Sequence, residues 1–417
     1  MSKVDTKGYV YVMISTLNQM VNYIPLKYFK EKDSEFDEIY NITIQESDFV
    51  DNNKWDEQLS EVLKRDEIVF NDKDDKHIRI HQNDVNDIEN TLEILESNFS
   101  DKKKIFWNIT GGQRPFILAI NQFIQDREDD YICYLEGNKS KMVIFKDDEL
   151  IENDSYNLDD LKIYTALELM GFQINKEELE KNYSSDDSIK EFYKNFLAQY
   201  LNSQELRGKL ISLNKKDTDK DKVIKEIKKI VTNLDENLLN EIFTYSDKDD
   251  KKQKKIFGYI LESLAGYKIL KVAENKIADI NFSEKINHLR QDDRTSEKEI
   301  DEFDIALLTK NGKFMIFECK SGGMGGDVAK STKYSTYAVS GVYGKPILIT
   351  PLLEKEIIAI RRKSTLSQNY KDEFEYLKDD LYKTIRQAIN SAIRAGLEVW
   401  GLDEIEEKLK KYIDLKD

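Results

Sequence analysis

Two carboxylates and an ammonium, Asp304, Glu318 and Lys320, stand out in the stretch DEFDIALLTKNGKFMIFECKSG because apolar runs flank them. Residues 305–308 and 314–317 read as short buried strands, and Lys310-Asn311-Gly312 reads as the turn between them. Alternation along the second strand puts Glu318 and Lys320 on one face and sends Cys319 to the other, toward a core. The turn decides which residue lies across from Glu318. A two-residue Asn-Gly turn pairs Asp304 with Cys319, whereas a three-residue loop with Gly312 in the left-handed region pairs Asp304 with Glu318. The three-residue loop is the expectation. Carboxylates facing each other with Cβ atoms about 4.5 to 5.5 Å apart repel unless a cation lies between them. Hard oxygen donors at that spacing suit Mg2+ or Mn2+, and the carbonyl of Cys319 can serve as a further ligand. Such an ion acidifies a water for in-line attack on a phosphodiester, while Lys320 orients that water or steadies the developing charge. The chemistry expected is hydrolysis.

Other elements must place this group and regulate it. KKIFGYILESLAGYKI reads as a helix with an apolar stripe of Ile256, Ile260, Leu261 and Leu264, which Gly266 can interrupt. After Lys320, GGMGGDVAKSTKYSTYA leaves the strand through a glycine-rich loop and enters a helix carrying Lys330, Lys333 and Tyr337, candidates for contact with phosphates. A nucleotide-hydrolysing phosphate loop is excluded, because Ala329 occupies the place of the glycine before Lys330.

A second constellation lies near the N-terminus. IFWNITGGQRPFILAINQFI reads as a buried strand, a Thr-Gly-Gly turn and a helix opened by Pro115, with Phe116, Ile117, Ile120, Phe123 and Ile124 facing inward. Thr110, Gly111, Gly112, Gln113 and Arg114 give that junction exposed N–H groups and side chains suited to an anion. The strand YVYVMIST ends in Ser15 and Thr16, followed by Asn18, Gln19 and Asn22; ligands of open α/β sheets collect at such strand ends.

Two resemblances follow from these motifs. Asp304 followed by Glu318-Cys319-Lys320 resembles the PD-(D/E)xK nuclease core, here as D…ExK. That resemblance implies that Glu262, on the helix upstream, completes the metal site and shares the catalytic role. ISTLNQMVNYIP, WNITGGQRPFILAI and YICYLEG resemble, in order, the segments of a CARF domain, the CRISPR-associated Rossmann fold, which senses cyclic oligoadenylates. A CARF domain followed by a PD-(D/E)xK domain looks like the ancillary nucleases of type III CRISPR defence that cyclic tetra-adenylate activates and that cut DNA or RNA. Gln113 and Arg114 stand where Thr and Lys are commoner in that family. The architecture implied is α/β: a Rossmann-like CARF domain over residues 1–150, a helical connector over 151–250 and a restriction-endonuclease-like α/β domain over 251–417. A two-fold symmetric ring fits best across a two-fold interface, so a homodimer is expected, each protomer giving one copy of the Ser15 to Asn22 and Thr110 to Arg114 loops. The alternatives are a restriction- or repair-type endonuclease that needs no ligand, and a cyclic-nucleotide-responsive regulator without catalysis.

Composition agrees with a chain of two or three cores: 417 residues, 40% apolar and 35% charged. No long apolar run and no signal peptide is visible, so a cytoplasmic protein without membrane contact is expected. Cys133 and Cys319 lie in apolar strands and read as buried thiols. His77 and His81 in HIRIH have the spacing of a helical metal pair, but the alternating isoleucines favour a surface strand. Of the net charge of −16, residues 1–150 hold 19 basic and 31 acidic side chains, a balance of −12. The remainder holds clusters at Lys251, Lys252, Lys254, Lys255 and at Arg361, Arg362, Lys363 that suit a phosphate backbone.

Overall fold

The structure is a computed structural model that describes residues 4–45, 55–68, 77–81, 84–137, 139–174, 187–244, 256–273, 276–288, 301–341, 344–361 and 372–413. The first unit runs β1 (Val10–Ile14), α1 (Met20–Glu31), β2 (Glu38–Gln45), α2 (Trp55–Arg65), β3 (His77–His81), α3 (Ile88–Phe99), β4 (Ile105–Asn108), α4 (Arg114–Phe123), β5 (Tyr131–Glu136), β6 (Lys141–Lys146) and β7 (Glu149–Ser155). Its sheet has the order β3-β2-β1-β4-β5-β6-β7. The first five strands in that order are parallel, and β6 and β7 are antiparallel additions. β1 and β4 are buried along their whole length, and apolar except for Asn108 at the end of β4, as strands covered on both faces must be. From β1 the chain winds outward to β2 and β3, then returns to place β4 on the other side of β1. The loops after β1 and β4 therefore part at the topological switch point, the crevice where open α/β sheets bind ligands.

β3 is an edge strand in which Ile78 and Ile80 are buried while His81 is exposed. His77 and His81 are thus about 13 Å apart along an extended chain and cannot share one ion. Both cysteines are buried free thiols, as expected.

The chain continues through α5 (Ile163–Glu168), β8 (Phe172–Ile174), α6 (Asp187–Asn202), α7 (Gln204–Ser212), α8 (Lys220–Ile230) and α9 (Glu236–Thr244). The stretch is helical, with one addition: β8 pairs with the end of the next strand and becomes the edge of a second sheet. At the start of this connector only α5 is helical; Leu158 and Leu161 precede it and are buried all the same. Helices α6 to α9 share a core with the second sheet. Tyr200 Oη donates to the carbonyl of Pro351 at 2.7 Å, and Arg207 pairs with Glu356 at 3.1 Å, both groups buried.

The second unit comprises α10 (Ile256–Ala273), β9 (Ile277–His288), β10 (Asp301–Thr309), β11 (Phe314–Cys319), α11 (Gly326–Ser340), β12 (Lys345–Thr350), α12 (Glu354–Arg361), α13 (Lys383–Ala395), β13 (Glu398–Gly401) and α14 (Ile405–Ile413). Its sheet has the order β13-β12-β11-β10-β9-β8. α10 runs unbroken through Gly266, contrary to the expected interruption. A helical glycine costs about 1 kcal/mol relative to alanine, and burial around nearly the whole circumference of α10 outweighs it. Of the basic clusters, Arg361 is exposed at the end of α12 and the other six residues lie outside the described residues. Among the described residues no helix is long and apolar enough to cross a membrane.

Candidate active site and ligand loops

β10 and β11 form an antiparallel hairpin in which Ile305 faces Phe317 and Leu308 faces Phe314. That register, carried one step further, sets Asp304 opposite Glu318. The three-residue loop is the cause: Thr309 and Lys313 close it through the N–H of Thr309 to the carbonyl of Lys313 at 3.0 Å, and Gly312 has φ +81°. The hairpin is covered on both faces. Ile305, Leu307, Met315, Phe317 and Cys319 join the core beneath α10, whereas Ala306, Leu308, Phe314 and Ile316 pack toward the first unit.

Asp304, Glu318 and Glu262 are 8%, 7% and 7% exposed, so three carboxylates are nearly removed from water. The N–H of Cys319 donates to Asp304 Oδ2 at 2.7 Å, and Lys320 forms an ion pair with Glu318. Burial holds the Asp304 carboxyl well above the usual range; the charges of Glu318 and Glu262 push it further, and Lys320 with the Cys319 N–H only partly opposes them. Glu318 is also raised, first by burial, against the pull of Lys320. For Lys320 burial works downward, but the charges of Glu318 and Asp304 prevail and the ammonium is held above its ordinary value. Lys320 therefore stays charged at neutral pH and is poorly suited to accept a proton. One ammonium against three acids leaves the cluster short of positive charge. Among the described residues, no group of three His, Cys, Asp or Glu is arranged to hold a metal ion. Ser283 of β9 falls between Phe282 and Glu284, which pair with Ile305 and Phe303; it has φ +53°, and its buried hydroxyl has no partner among the described residues.

At the other end, the loops after β1 and β4 meet. A Cβ on Gly111 would lie 2.9 Å from the carbonyl oxygen of Ile14 and 3.1 Å from Thr16 Cγ2, so only glycine permits this contact. Gly112 has φ +95°, and a Cβ there would lie 2.7 Å from Ile14 Cδ1. Gln113, Arg114 and Gly112 are exposed, and Ser15, Thr16, Asn18 and Thr110 are half-buried. Gln19 and Asn22, expected to face a ligand, are fully buried. Gln19 donates to Ser15 Oγ at 2.7 Å and to Asp56 Oδ1 at 3.2 Å; Asn22 donates to the Ile14 carbonyl at 2.9 Å and to Gln19 Oε1 at 2.8 Å. Their amides brace the loop from beneath, which is why they are turned away from solvent.

Three residues of this network escaped the sequence reading. Asp56 binds Ser15 and accepts from Asn41 Nδ2 at 3.0 Å; burial raises its carboxyl, against those same hydrogen bonds. Asn108 donates to Asn22 Oδ1 at 3.1 Å and accepts from Thr110 Oγ1 at 2.7 Å, and Thr110 in turn accepts from the N–H of Leu135 at 2.8 Å. An asparagine inside an apolar strand was the available signal at positions 41 and 108, since a buried amide must find partners. Asp56 gave none.

Comparison with known proteins settles the first unit. Residues 12–160 match the family model described as the Card1 CARF domain. This unit is a CARF domain. The whole chain also shares its fold with solved structures of low sequence identity. Protein VC1899 from Vibrio cholerae is 15% identical with a TM-score of 0.62, and the alignment covers 98% of each chain. Can2 from Sulfobacillus thermosulfidooxidans, solved in complex with cyclic tetra-adenylate, is 13% identical with a TM-score of 0.58, covering 97% of this chain and 96% of that one. No curated protein matches.

Proposed function

We propose that this chain is a nuclease of type III CRISPR defence, switched on by cyclic oligoadenylate bound to the CARF domain and dependent on Mg2+ or Mn2+. The observation that carries the reading is the buried pair Asp304 and Glu318, face to face on a hairpin with Lys320 beside them, in a chain whose other half is a CARF domain. Can2 supports the choice of cyclic tetra-adenylate as ligand. Thr16, Gly112, Gln113 and Arg114 would meet it, with Ser15, Asn18, Thr110 and Gly111 shaping the crevice and Gln19 and Asn22 holding the loop. A homodimer would offer two copies of these loops to one ring.

The acids fit a hard divalent ion in donor type and in charge, since they are oxygens and carry more negative charge than Lys320 offsets. Asp304, Glu318 and the Cys319 carbonyl would hold it; Glu262 is not arranged with the two acids as a third ligand and would contribute its nearby charge. When bound, such an ion supplies Lewis acidity toward the phosphate and lowers the pKa of water. Lys320, kept charged by its neighbours, steadies negative charge developing on the phosphate oxygens. The apolar layers on both faces of the hairpin hold Asp304 and Glu318 in place while this happens.

The test compares the parent protein with Asp304→Asn on labelled DNA and RNA, with cyclic tetra-adenylate present. Cleavage in Mg2+ or Mn2+ that stops in EDTA and falls by about 10²-fold or more in the variant is expected. Equal rates in parent and variant would sink the reading.

A further inference from the structure

The tip of the β10–β11 hairpin is built into the CARF domain. Each of its three loop residues is held separately. The N–H of Leu158 donates to the carbonyl of Lys310 at 2.7 Å. Tyr156 Oη donates to the carbonyl of Asn311 at 3.0 Å, and the Asn311 amide also reaches Ser140 Oγ. Gly312 lies so close to α1 that a Cβ would stand 2.6 Å from Ile24 Cδ1 and 3.4 Å from Met20 Cε. α1 is the helix that starts where the Ser15 to Gln19 loop ends. A second contact joins the same loop to the second unit: a Cβ on Gly341, at the end of α11, would lie 3.0 Å from Asn18 Nδ2.

From Thr309 to Asp304 the hairpin is continuous strand, six residues spanning about 17 Å. It is paired on both sides and buried on both faces, so it moves as a body. A cleft of about 640 Å³, lined in part by Ser140, Tyr156, Thr309 and Asn311, opens beside the tip and leaves it room to shift. We infer that Gly312, Asn311 and Tyr156 are positioning residues: through α1 and the hairpin they set where the Asp304 and Glu318 pair stands relative to Glu262 on α10, according to the state of the ligand loop. This inference rests on the proposed ligand-activated cleavage. It adds that the signal passes within one chain, across the joint of Gly312 with Ile24 and of Asn311 with Tyr156.

The experiment measures cyclic tetra-adenylate affinity by calorimetry, and cleavage with and without that ligand, for the parent, Tyr156→Phe, Gly312→Ala and Gly312→Ala combined with Ile24→Ala. Tyr156→Phe keeps the packing and removes one hydrogen bond. It is expected to bind the ligand within about twofold of the parent and to keep its basal cleavage, but to lose about fivefold in the stimulated rate. Gly312→Ala is expected to lose more stimulation, and Ile24→Ala in the same chain to restore part of it by removing the atom that the new Cβ strikes. A merely structural role would lower thermal stability without changing the ratio of stimulated to basal rate. If the parent is stimulated and all the variants keep its ratio, the joint is not the transmitter. If the parent shows no stimulation, this inference and the activation it rests on fall together.

Discussion

At the scale of single residues, the acids of the second unit carry a pH signature. A carboxyl whose folded value lies above its unfolded value contributes stability at pH below the unfolded value and loses it as pH rises through the folded one. Asp304 and Glu318 are both raised, so the metal-free protein is expected to lose stability as pH climbs above the ordinary carboxylate range near 4. Asp304→Asn removes the charge from this crowded site. Its melting temperature in EDTA at pH 8 is expected to exceed the parent's, and the difference should shrink toward pH 4. A variant less stable than the parent at both pH values would show that Asp304 is not under charge strain. For Lys320→Ala, with the ammonium gone, stimulated cleavage is expected to fall by about 10²-fold or more with little change in ligand affinity, measured by single-turnover assay and calorimetry.

At the scale of elements, the two tight loops decide most of the geometry. Gly111 lets the β4 turn touch the end of β1, and the expected cost of Gly111→Ala is about a tenfold rise in the dissociation constant for cyclic tetra-adenylate, about 1.4 kcal/mol, by displacement of Thr16. An unchanged affinity by calorimetry would place the ligand elsewhere. These same loops explain what was legible in the sequence. The hairpin register followed from Lys-Asn-Gly because loop length fixes pairing, and β1, β3 and β4 followed from apolar runs and alternation. α10 was misjudged at Gly266 because tertiary packing overrides a local propensity. Gln19 and Asn22 were assigned outward because strand ends usually face ligand, whereas their direction depends on Asp56 and Asn108, which come from elements far away in sequence. No spacing rule links position 56 to position 15.

At the scale of the whole molecule, the two units are joined by a shared core. Met20 and Ile24 of α1 cluster with Ala306, Leu308, Phe314 and Ile316 of the hairpin, so the ligand loop and the acids belong to one packed body. The acidic balance of the N-terminal 150 residues disfavours loose binding of long nucleic acid there and suits a small local pocket. Leu17 and Leu118 are 53% and 57% exposed beside the candidate ligand loops, and if the proposed dimer forms over these loops the second copy is expected to cover them. Leu118→Glu is expected to shift the protein toward monomer in sedimentation and to abolish the response to ligand together. The most direct measurement is the rate of cleavage of a labelled oligonucleotide in Mn2+, taken with the same enzyme stock before and after adding cyclic tetra-adenylate. Near silence before addition, at least a tenfold rise after it, and no rise when Lys320 is replaced by Ala are the expected results. Full cleavage before the ligand is added, or a rise that survives the loss of Lys320, would contradict the proposed function.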